Sequence, residues 1–148
     1  MIDSKQKNIS LVIAVADRNS GAVTAALEKG ADVHYQDDLP LRSAVYLGYT
    51  DIAGLLLKNG ANVHTGGEEL LFIALKAHDM PMIDLLLEKG ADVKVALAGK
   101  KDKLDKESLN IIGEIQARET RIAFEKNASA LREKTRQSVR PRMKPNLL

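Results

Sequence analysis

The chain has 148 residues, of which 45% are apolar and 28% are charged, a balance typical of a globular protein with one core of ordinary size. No stretch approaches the ~18 uninterrupted apolar residues of a membrane-spanning helix, so the sequence predicts no membrane span. There is no cysteine, which excludes disulfides, a thiol nucleophile and thiolate metal ligands, and which fits a reducing, cytoplasmic location.

Charge divides the chain into two parts of opposite sign. Residues 1–98 carry 9 Lys and Arg against 13 Asp and Glu, a net charge of −4, whereas residues 99–148 carry 13 against 7, a net charge of +6. The sequence therefore predicts an acidic body followed by a basic end.

One seven-residue phrase recurs at steps of 30. "LEKGADV" occupies residues 27–33 and 87–93, and the variant "LKNGANV" lies midway between them. Glycine adopts the left-handed conformation that ends many helices without a side-chain penalty, so Gly30, Gly60 and Gly90 are predicted to end three helices. Apolar residues at helical spacing precede each glycine, which makes the phrase the end of a second helix in each unit.

A shorter apolar pattern precedes each of these second helices, in "SLVIAVADR", "LPLRSAVYLGY" and "ELLFIALKAHD". A small residue stands 16 positions before each glycine, at Ala14, Ala44 and Ala74, where it would allow two helices to approach closely. The unit is therefore a helix, a tight turn, a second helix, a glycine stop and an extended link. Units of this kind bury their apolar faces only when about three or more are stacked.

These motifs resemble the ankyrin repeat, whose consensus runs roughly T-P-L-H-x-A-A and then L-L-L-x-x-G-A-D-V-N. "LPLRSAV" keeps the Pro, Leu and Ala of the first part, and "LLLKNGANVH" and "LLLEKGADVK" keep most of the second. The resemblance implies an all-α solenoid of stacked helix-turn-helix units. The spacing of 30, against ~33 in the family, implies shortened hairpins. The Thr and His of the first motif are replaced, so we expect looser turns, at ~1 kcal/mol per lost cap.

The predicted organisation has three parts. An ankyrin-repeat domain covers residues 1–98, a helical cap or extension covers 99–137, and residues 138–148 form a basic tail that we expect to be disordered. The repeats are placed at about 10–33, 34–63 and 64–93, after an N-terminal cap that starts near Ile9.

The resemblance implies a non-catalytic protein–protein interaction module, such as an adaptor, an inhibitor or an effector-type binder. In the family, variable positions at the end of the first helix face a concave groove, and the turn before that helix lies nearby. All three tyrosines lie in the middle repeat, and tyrosine is enriched among residues that dominate binding energy. Tyr49 replaces a family histidine and is expected to pack between repeats. The predicted partner-binding residues are Tyr35, Asp37, Asp38, Tyr46, Leu47 and Lys76.

No catalytic residue, cofactor or metal site is predicted, because the chain lacks a P-loop, G-x-S-x-G, H-E-x-x-H and G-x-G-x-x-G. "GGEEL" resembles the GGEEF signature of diguanylate cyclases, but that motif belongs to a much larger α/β domain. We interpret it as a turn before a first helix, with Glu68 and Glu69 favourable to the helix dipole. His34 and His64 occupy equivalent positions in neighbouring repeats, about 8 to 10 Å apart. They are too distant to share a zinc ion and are expected to stabilise turns or face solvent.

A longer helix is predicted after the repeats, from about residue 104. Five apolar residues fall within roughly a 100° stripe of that helix, which is expected to cover the open end of the array as a cap. The stripe consists of Leu104, Ile111, Ile112, Ile115 and Ile122.

Beyond Ile122, the apolar residues Phe124, Ala128 and Leu131 lie on the opposite side. The helix therefore either breaks near Asn127 or presents a second face. This weak apolar strip leaves open an alternative function, a homo-oligomeric scaffold formed through the C-terminal helix.

The basic end offers another alternative, which is binding to nucleic acid, to an acidic protein or to an anionic membrane surface. No aromatic residue lies among the last 24 positions, so base stacking is unsupported. The resemblance is also compatible with a protein made inside or delivered into a host cell. The basic residues concerned are Arg132, Lys134, Arg136, Arg140, Arg142 and Lys144.

Overall fold

The computed structural model describes residues 3–138, and every regular element in this range is helical. A short 3-10 turn at Lys101–Lys103 precedes the last helix. The all-α prediction is confirmed. The α-helices are α1 (Ser4–Ala16), α2 (Ser20–Glu28), α3 (Tyr35–Tyr46), α4 (Thr50–Lys58), α5 (Thr65–Lys76), α6 (Met80–Glu88), α7 (Val93–Ala96) and α8 (Lys106–Ser138).

The chain forms two compact units, residues 1–109 and residues 110–148. In the first unit, α1, α3, α5 and α7 pack side by side as one layer, and α2, α4 and α6 pack as a second layer. The core between the layers repeats with the sequence period, so that Leu11, Leu41 and Leu71 are all fully buried. Because helices of neighbouring repeats pack against one another in both layers, the array is stabilised between repeats as well as within them.

Each second helix ends as the glycines predict. Gly30, Gly60 and Gly90 have φ values of 83°, 95° and 100°, in the left-handed region. The residue after each glycine is an alanine, and its N–H donates a hydrogen bond of 3.0–3.1 Å to the carbonyl five residues earlier. These residues are Ala31, Ala61 and Ala91. This pattern satisfies the last helical carbonyls with backbone donors, and it confirms the predicted stops.

The tight turns between paired helices also repeat. Ala14, Ala44 and Ala74 are buried, and each of their carbonyls accepts a hydrogen bond from the N–H five residues later. The short links between repeats contain runs of three residues with positive φ, at 36–38 and 66–68. A compact left-handed turn thus replaces the longer hairpin of the consensus unit.

Helix α7 follows the third repeat directly and packs against α5, as α3 packs against α1. The carboxylate of Asp92 accepts hydrogen bonds from the N–H groups of Lys94 and Val95, which caps this short helix. The sequence placed the end of the third repeat at 93, and the same packing continues here to Ala96.

Helix α8 is continuous past Asn127, so of the two alternatives left by the sequence the helix presents a second face. Within the second unit, Ile112 and Ile115 are buried, but Ile122 is 56% exposed. The predicted apolar stripe is therefore buried only along the first part of the helix. Residues 116–138 are exposed except for Ala128, which is half-buried.

Candidate functional site

Positions that recur every 30 residues lie on adjacent first helices. Tyr46 and Leu47 end α3, and they are 78% and 46% exposed although both side chains are large. Their counterparts are Ala16 and Asp17 at the end of α1, and Lys76 and Ala77 at the end of α5. Among the ends of α1, α3 and α5, the end of α3 in the middle repeat therefore exposes the most apolar and aromatic side-chain surface.

An open groove of about 570 Å³ lies between α3 and α5. Half-buried Leu39 and Ile73 contribute apolar surface, and Arg42 and Glu69 contribute opposite charges. We call it the Tyr46 groove. Its lining residues are Leu39, Arg42, Ser43, Tyr46, Leu47, Glu69 and Ile73.

The apolar surface continues onto α1, which the sequence-based prediction missed. Ile9 and Ile13 are exposed, Ile13 by 54%. They lie one period before Leu39 and Ser43, so they occupy the same side of the layer as the Tyr46 groove. The 30-residue register could have identified them. We call the exposed side of α1, α3 and α5 the first-helix face.

Three of the predicted binding residues are placed away from the Tyr46 groove. Lys76 is exposed at the end of α5, and Asp37 is exposed in the left-handed turn before α3. Tyr35 is half-buried, and its hydroxyl accepts a hydrogen bond from Gln36 Nε2 at 3.2 Å. None of the three lines the groove.

Asp38 is only 5% exposed, which corrects the prediction that it belongs to a binding surface. Its Oδ1 accepts a hydrogen bond from the N–H of Asn62 at 3.0 Å and lies 3.0 Å from Nδ1 of His34. Its Oδ2 accepts the hydroxyl of Thr65 at 2.8 Å. The left-handed turn at 36–38 precedes the helical part of α3, and the carboxylate at its end bonds to the following repeat.

A family model for ankyrin repeats, in three copies, matches residues 11–97. The chain belongs to the ankyrin repeat family. An ankyrin repeat protein of fowlpox virus (strain NVSL) is 27% identical over 96 residues, which are 64% of this chain and 27% of the viral protein. The chain thus spans about a quarter of the length of that relative. Ankyrin repeats are generally non-enzymatic modules for protein–protein interaction.

A ladder of polar residues occupies one register position of the array, at Asn8, Asp38 and Glu68. Asn8 Oδ1 accepts the N–H of Asp32 at 2.7 Å, just as Asp38 accepts that of Asn62. Glu68 is buried and its Oε1 is bonded to His64 Nδ1, but its Oε2 has no hydrogen-bond partner. Of the three, Asp38 bonds into the following repeat, through the hydroxyl of Thr65.

The histidines His34 and His64 stabilise turns, as the sequence predicts. Each Nδ1 bonds to the carboxylate four residues later, to Asp38 and Glu68 respectively, while the rest of the ring is exposed. Glu68 itself lies in the left-handed turn formed by the "GGEEL" segment, with φ of 65°. Across residues 3–138, no group of three or more His, Asp or Glu side chains is arranged to hold a metal ion.

A Ser-His-Asp group occurs where α8 begins, and it is structural in geometry. His78 Nε2 lies 3.0 Å from Asp105 Oδ1 and 3.1 Å from Ser108 Oγ, so both residues use the same ring nitrogen. A catalytic triad requires opposite nitrogens and an accessible hydroxyl, whereas Ser108 is fully buried and lies 3.0 Å from the carbonyl of Leu75. Hydrogen bonds from the Ser108 hydroxyl and N–H, and from His78, hold the pKa of Asp105 well below its ordinary value of 3.8.

Tyr49 packs between repeats, as expected. The Arg18 guanidinium lies 5.0 Å from the centre of the Tyr49 ring, and the same arginine forms an ion pair with Asp51 at 3.5 Å. Tyr49 therefore joins the first repeat to the second and is not part of the first-helix face.

The predicted basic residues fall into two groups. Arg132, Lys134 and Arg136 are exposed on α8. Arg140, Arg142 and Lys144 lie outside the described residues. So does the predicted disordered tail at 138–148, except for Ser138, which is helical and ends α8. Over the range 3–138, no helix combines the length and the apolar character needed to cross a bilayer.

Proposed function

We propose that this ankyrin array is a non-catalytic protein-binding module, and that its partner contacts the first-helix face at the Tyr46 groove. The observation that carries the proposal is the exposure of Tyr46 and Leu47, two large side chains next to one another on the rim of one groove. Contiguous exposed apolar surface of this kind marks interaction sites on soluble proteins.

The composition of the groove matches the centre of a protein interface. Tyr46 can lose solvent exposure with little loss of side-chain freedom, which is the reason tyrosine contributes strongly to binding. Leu39 and Ile73 provide an apolar floor, and Arg42 and Glu69 provide polar groups at its sides. An apolar centre with a polar rim is the usual arrangement at protein interfaces.

The first-helix face is long enough for a short helix or an extended segment. Adjacent packed helices are about 10 Å apart, so the face from Ile13 on α1 to Ile73 on α5 extends over roughly 20 Å. A standard interface takes about 800 Å² from each partner. We propose that the bound surface includes Ile9 and Ile13 as well as the groove.

Substitution of the groove residues tests the proposal. The double variant Tyr46→Ala with Leu47→Ala should lose capture of the partner while its melting temperature stays unchanged, because both side chains are exposed. The matched control replaces two exposed apolar residues outside the groove, Val95→Ala with Leu109→Ala, and should keep full capture. Equal capture by both double variants would contradict the site.

We place the working location inside a cell. The absence of cysteine supports a reducing compartment, and the fowlpox relative supports a setting in which an ankyrin protein is made within a host cell. Fractionation of cells that express the chain, with detection in the cytoplasmic fraction, tests this placement.

A second candidate function is binding of polyanions by the basic part of α8, supported by the exposure of Arg132, Lys134 and Arg136. Neutralisation of phosphates by these side chains would make affinity for nucleic acid fall steeply between about 50 and 200 mM salt. Replacement of the three residues by Gln should remove that dependence. Binding that is unchanged by salt would exclude this candidate.

A further inference from the structure

We propose that the partner segment in the Tyr46 groove places the carboxylate of an aspartate or glutamate on the guanidinium of Arg42, next to an apolar side chain of the same segment. This inference rests on the proposed function, because it names the chemistry of the partner that the first-helix face binds. It begins from Arg42, which lines the groove between α3 and α5 and is half-buried there.

Arg42 has no polar partner within residues 3–138. Its side chain forms no hydrogen bond, ion pair or ring contact with another described residue. Arg18, which is more exposed, lies over the ring of Tyr49 and pairs with Asp51. Partial burial of an unpaired charge is costly, and the planar fork of a guanidinium matches the two oxygens of a carboxylate. A partner carboxylate would therefore satisfy donors that the array leaves unpaired.

Glu69 lines the same groove, but its carboxylate is folded toward the left-handed turn before α5. A Cβ added at Gly66 would lie only 2.9 Å from Oε2 of Glu69, so the carboxylate occupies space that glycine leaves open. Glu69 forms no ion pair with Arg42, although both line one groove. The guanidinium therefore remains available to an acidic group from outside.

Among the three repeats, the middle one alone has a charge at this register position. The counterparts of Arg42 are Val12 in α1 and Phe72 in α5, both apolar and half-buried, and the consensus motif has histidine there. The ring of Phe72 is approached by Lys100, whose Nζ lies 5.2 Å from the ring centre. The unpaired cation thus stands in the same repeat that exposes Tyr46, and arginine and tyrosine are the residues enriched where binding energy concentrates.

The charges around the groove favour a single carboxylate over a more highly charged group. Arg42 and Glu69 are the charged residues that line it, so the lining is neutral overall. Lys76 and Asp17, exposed at the ends of the neighbouring first helices, also carry opposite charges. One carboxylate is balanced by Arg42, whereas a phosphate group would bring up to about two negative charges against one guanidinium and close to Glu69.

The order of groups along the groove predicts the spacing in the partner. Tyr46 follows Arg42 by four residues, which is about 6 Å along α3. A partner segment that lies between α3 and α5 runs along the same direction. Side chains two positions apart in an extended segment are about 7 Å apart on one face, and those four apart in a helix are about 6 Å apart. We therefore expect an acidic residue two or four positions from an apolar one.

A selection from random peptides tests this chemistry. The peptides are displayed as internal segments, so that no free chain end supplies a carboxylate, and are selected on the full chain and on the Tyr46→Ala, Leu47→Ala variant. Peptides retained by the chain but not by the variant should share an Asp or Glu at this spacing from an apolar residue.

The selection separates failure of the inference from failure of the proposed function. Peptides that depend on Tyr46 and Leu47 but share a basic residue, or no charged residue, would overturn the inference and leave the groove as the binding site. If no selected peptide depends on Tyr46 and Leu47, the proposed function fails and the inference fails with it.

Affinities of one selected peptide, synthesised with blocked ends, test the role of Arg42. The peptide should bind the full chain at least about tenfold more tightly than its amide form, in which Asn or Gln replaces the acid, because charge-assisted hydrogen bonds are the stronger ones. Arg42→Gln should abolish this ratio, and Arg42→Lys, which keeps the charge but not the fork, should keep part of it. The matched control Lys58→Gln removes an exposed charge at the end of α4 and should leave the ratio unchanged. Since each ratio compares two peptides on one protein, a loss of stability does not imitate it. An undiminished ratio on Arg42→Gln would overturn the assignment.

Discussion

Runs of three residues with positive φ lie in the turns that begin the second and third repeats. Asp37 and Gly67 occupy the same register position with nearly the same conformation, φ 61° and ψ 56° against φ 64° and ψ 52°. For an L-residue this region costs roughly 1–2 kcal/mol, while glycine enters it freely. The third repeat therefore makes this turn with less strain than the second.

Replacing glycine by alanine should change the free energy of unfolding in opposite directions at two positions. Gly67→Ala should lower the free energy of unfolding by about 1 kcal/mol, since a Cβ there meets no atom within 4 Å and the cost is purely conformational. Gly54→Ala, inside α4, should raise it by roughly 0.5–1 kcal/mol, because its Cβ would lie 3.8 Å from Leu85 in ordinary contact. Urea unfolding of both variants checks the pair, and equal signs would contradict it.

The polar ladder gives a second prediction at this scale. Thr65 donates to Asp38 from a buried position, and the residue one period later is Val95, which has no hydroxyl to offer Glu68. Thr65→Val should cost about 1–3 kcal/mol, because it leaves a buried carboxylate oxygen without a partner.

The reverse change provides the control for the ladder. Val95→Thr should stabilise the chain, by roughly 1 kcal/mol, if the new hydroxyl reaches Oε2 of Glu68. Thermal unfolding of the two variants measures both effects. If Val95→Thr instead destabilises the protein, a hydroxyl at position 95 does not bond to Oε2 of Glu68 as the hydroxyl of Thr65 bonds to Asp38.

At the scale of elements, the start of α8 is fixed by hydrogen bonds to the third repeat. Asp105 accepts the N–H of Ser108 at 2.8 Å, and the Ser108 hydroxyl lies 3.0 Å from the carbonyl of Leu75 at the end of α5. His78 joins the same group from the turn after α5. Asp105 thereby caps the first turn of α8 and ties it to the turn that follows α5.

This junction should respond to acid. The pKa of Asp105 is lowered in the folded state, so its stabilising effect is fully present above the ordinary value of 3.8 and is lost as pH falls below it. Asp105→Asn should therefore be less stable than the parent at neutral pH, with a difference that shrinks toward about pH 2. Urea titrations across this range check it, with Asp102→Asn as the exposed control. A difference independent of pH would contradict the assignment.

At the scale of the whole molecule, the 30-residue period made most of the repeat domain predictable. Gly30, Gly60 and Gly90 mark helix ends through backbone conformation, which is local and therefore readable in sequence. The exposure of Tyr46 and Leu47 was predictable because register fixes which side of a first helix a residue occupies. The family assignment follows from the same recurring offsets.

Other features depend on contacts that sequence does not show. Ile13 belongs to an unbroken apolar run from Leu11 to Val15, and packing alone decides which members are buried. Asp38 reads as a polar turn residue, but three successive left-handed residues end at a carboxylate bonded inside the array. The continuity of α8 was left open because neither alternative conflicts with its apolar spacing.

The central claim is that a protein partner binds the first-helix face at the Tyr46 groove, and site-specific photo-cross-linking tests it most directly. A cross-linking residue replaces Ser43 in the groove or, as the control, exposed Thr24 on α2, and the full chain is irradiated with its captured partner. We predict a covalent partner adduct from position 43 that is lost in the Tyr46→Ala, Leu47→Ala background, and none from position 24. An adduct from position 24 alone would contradict the claim.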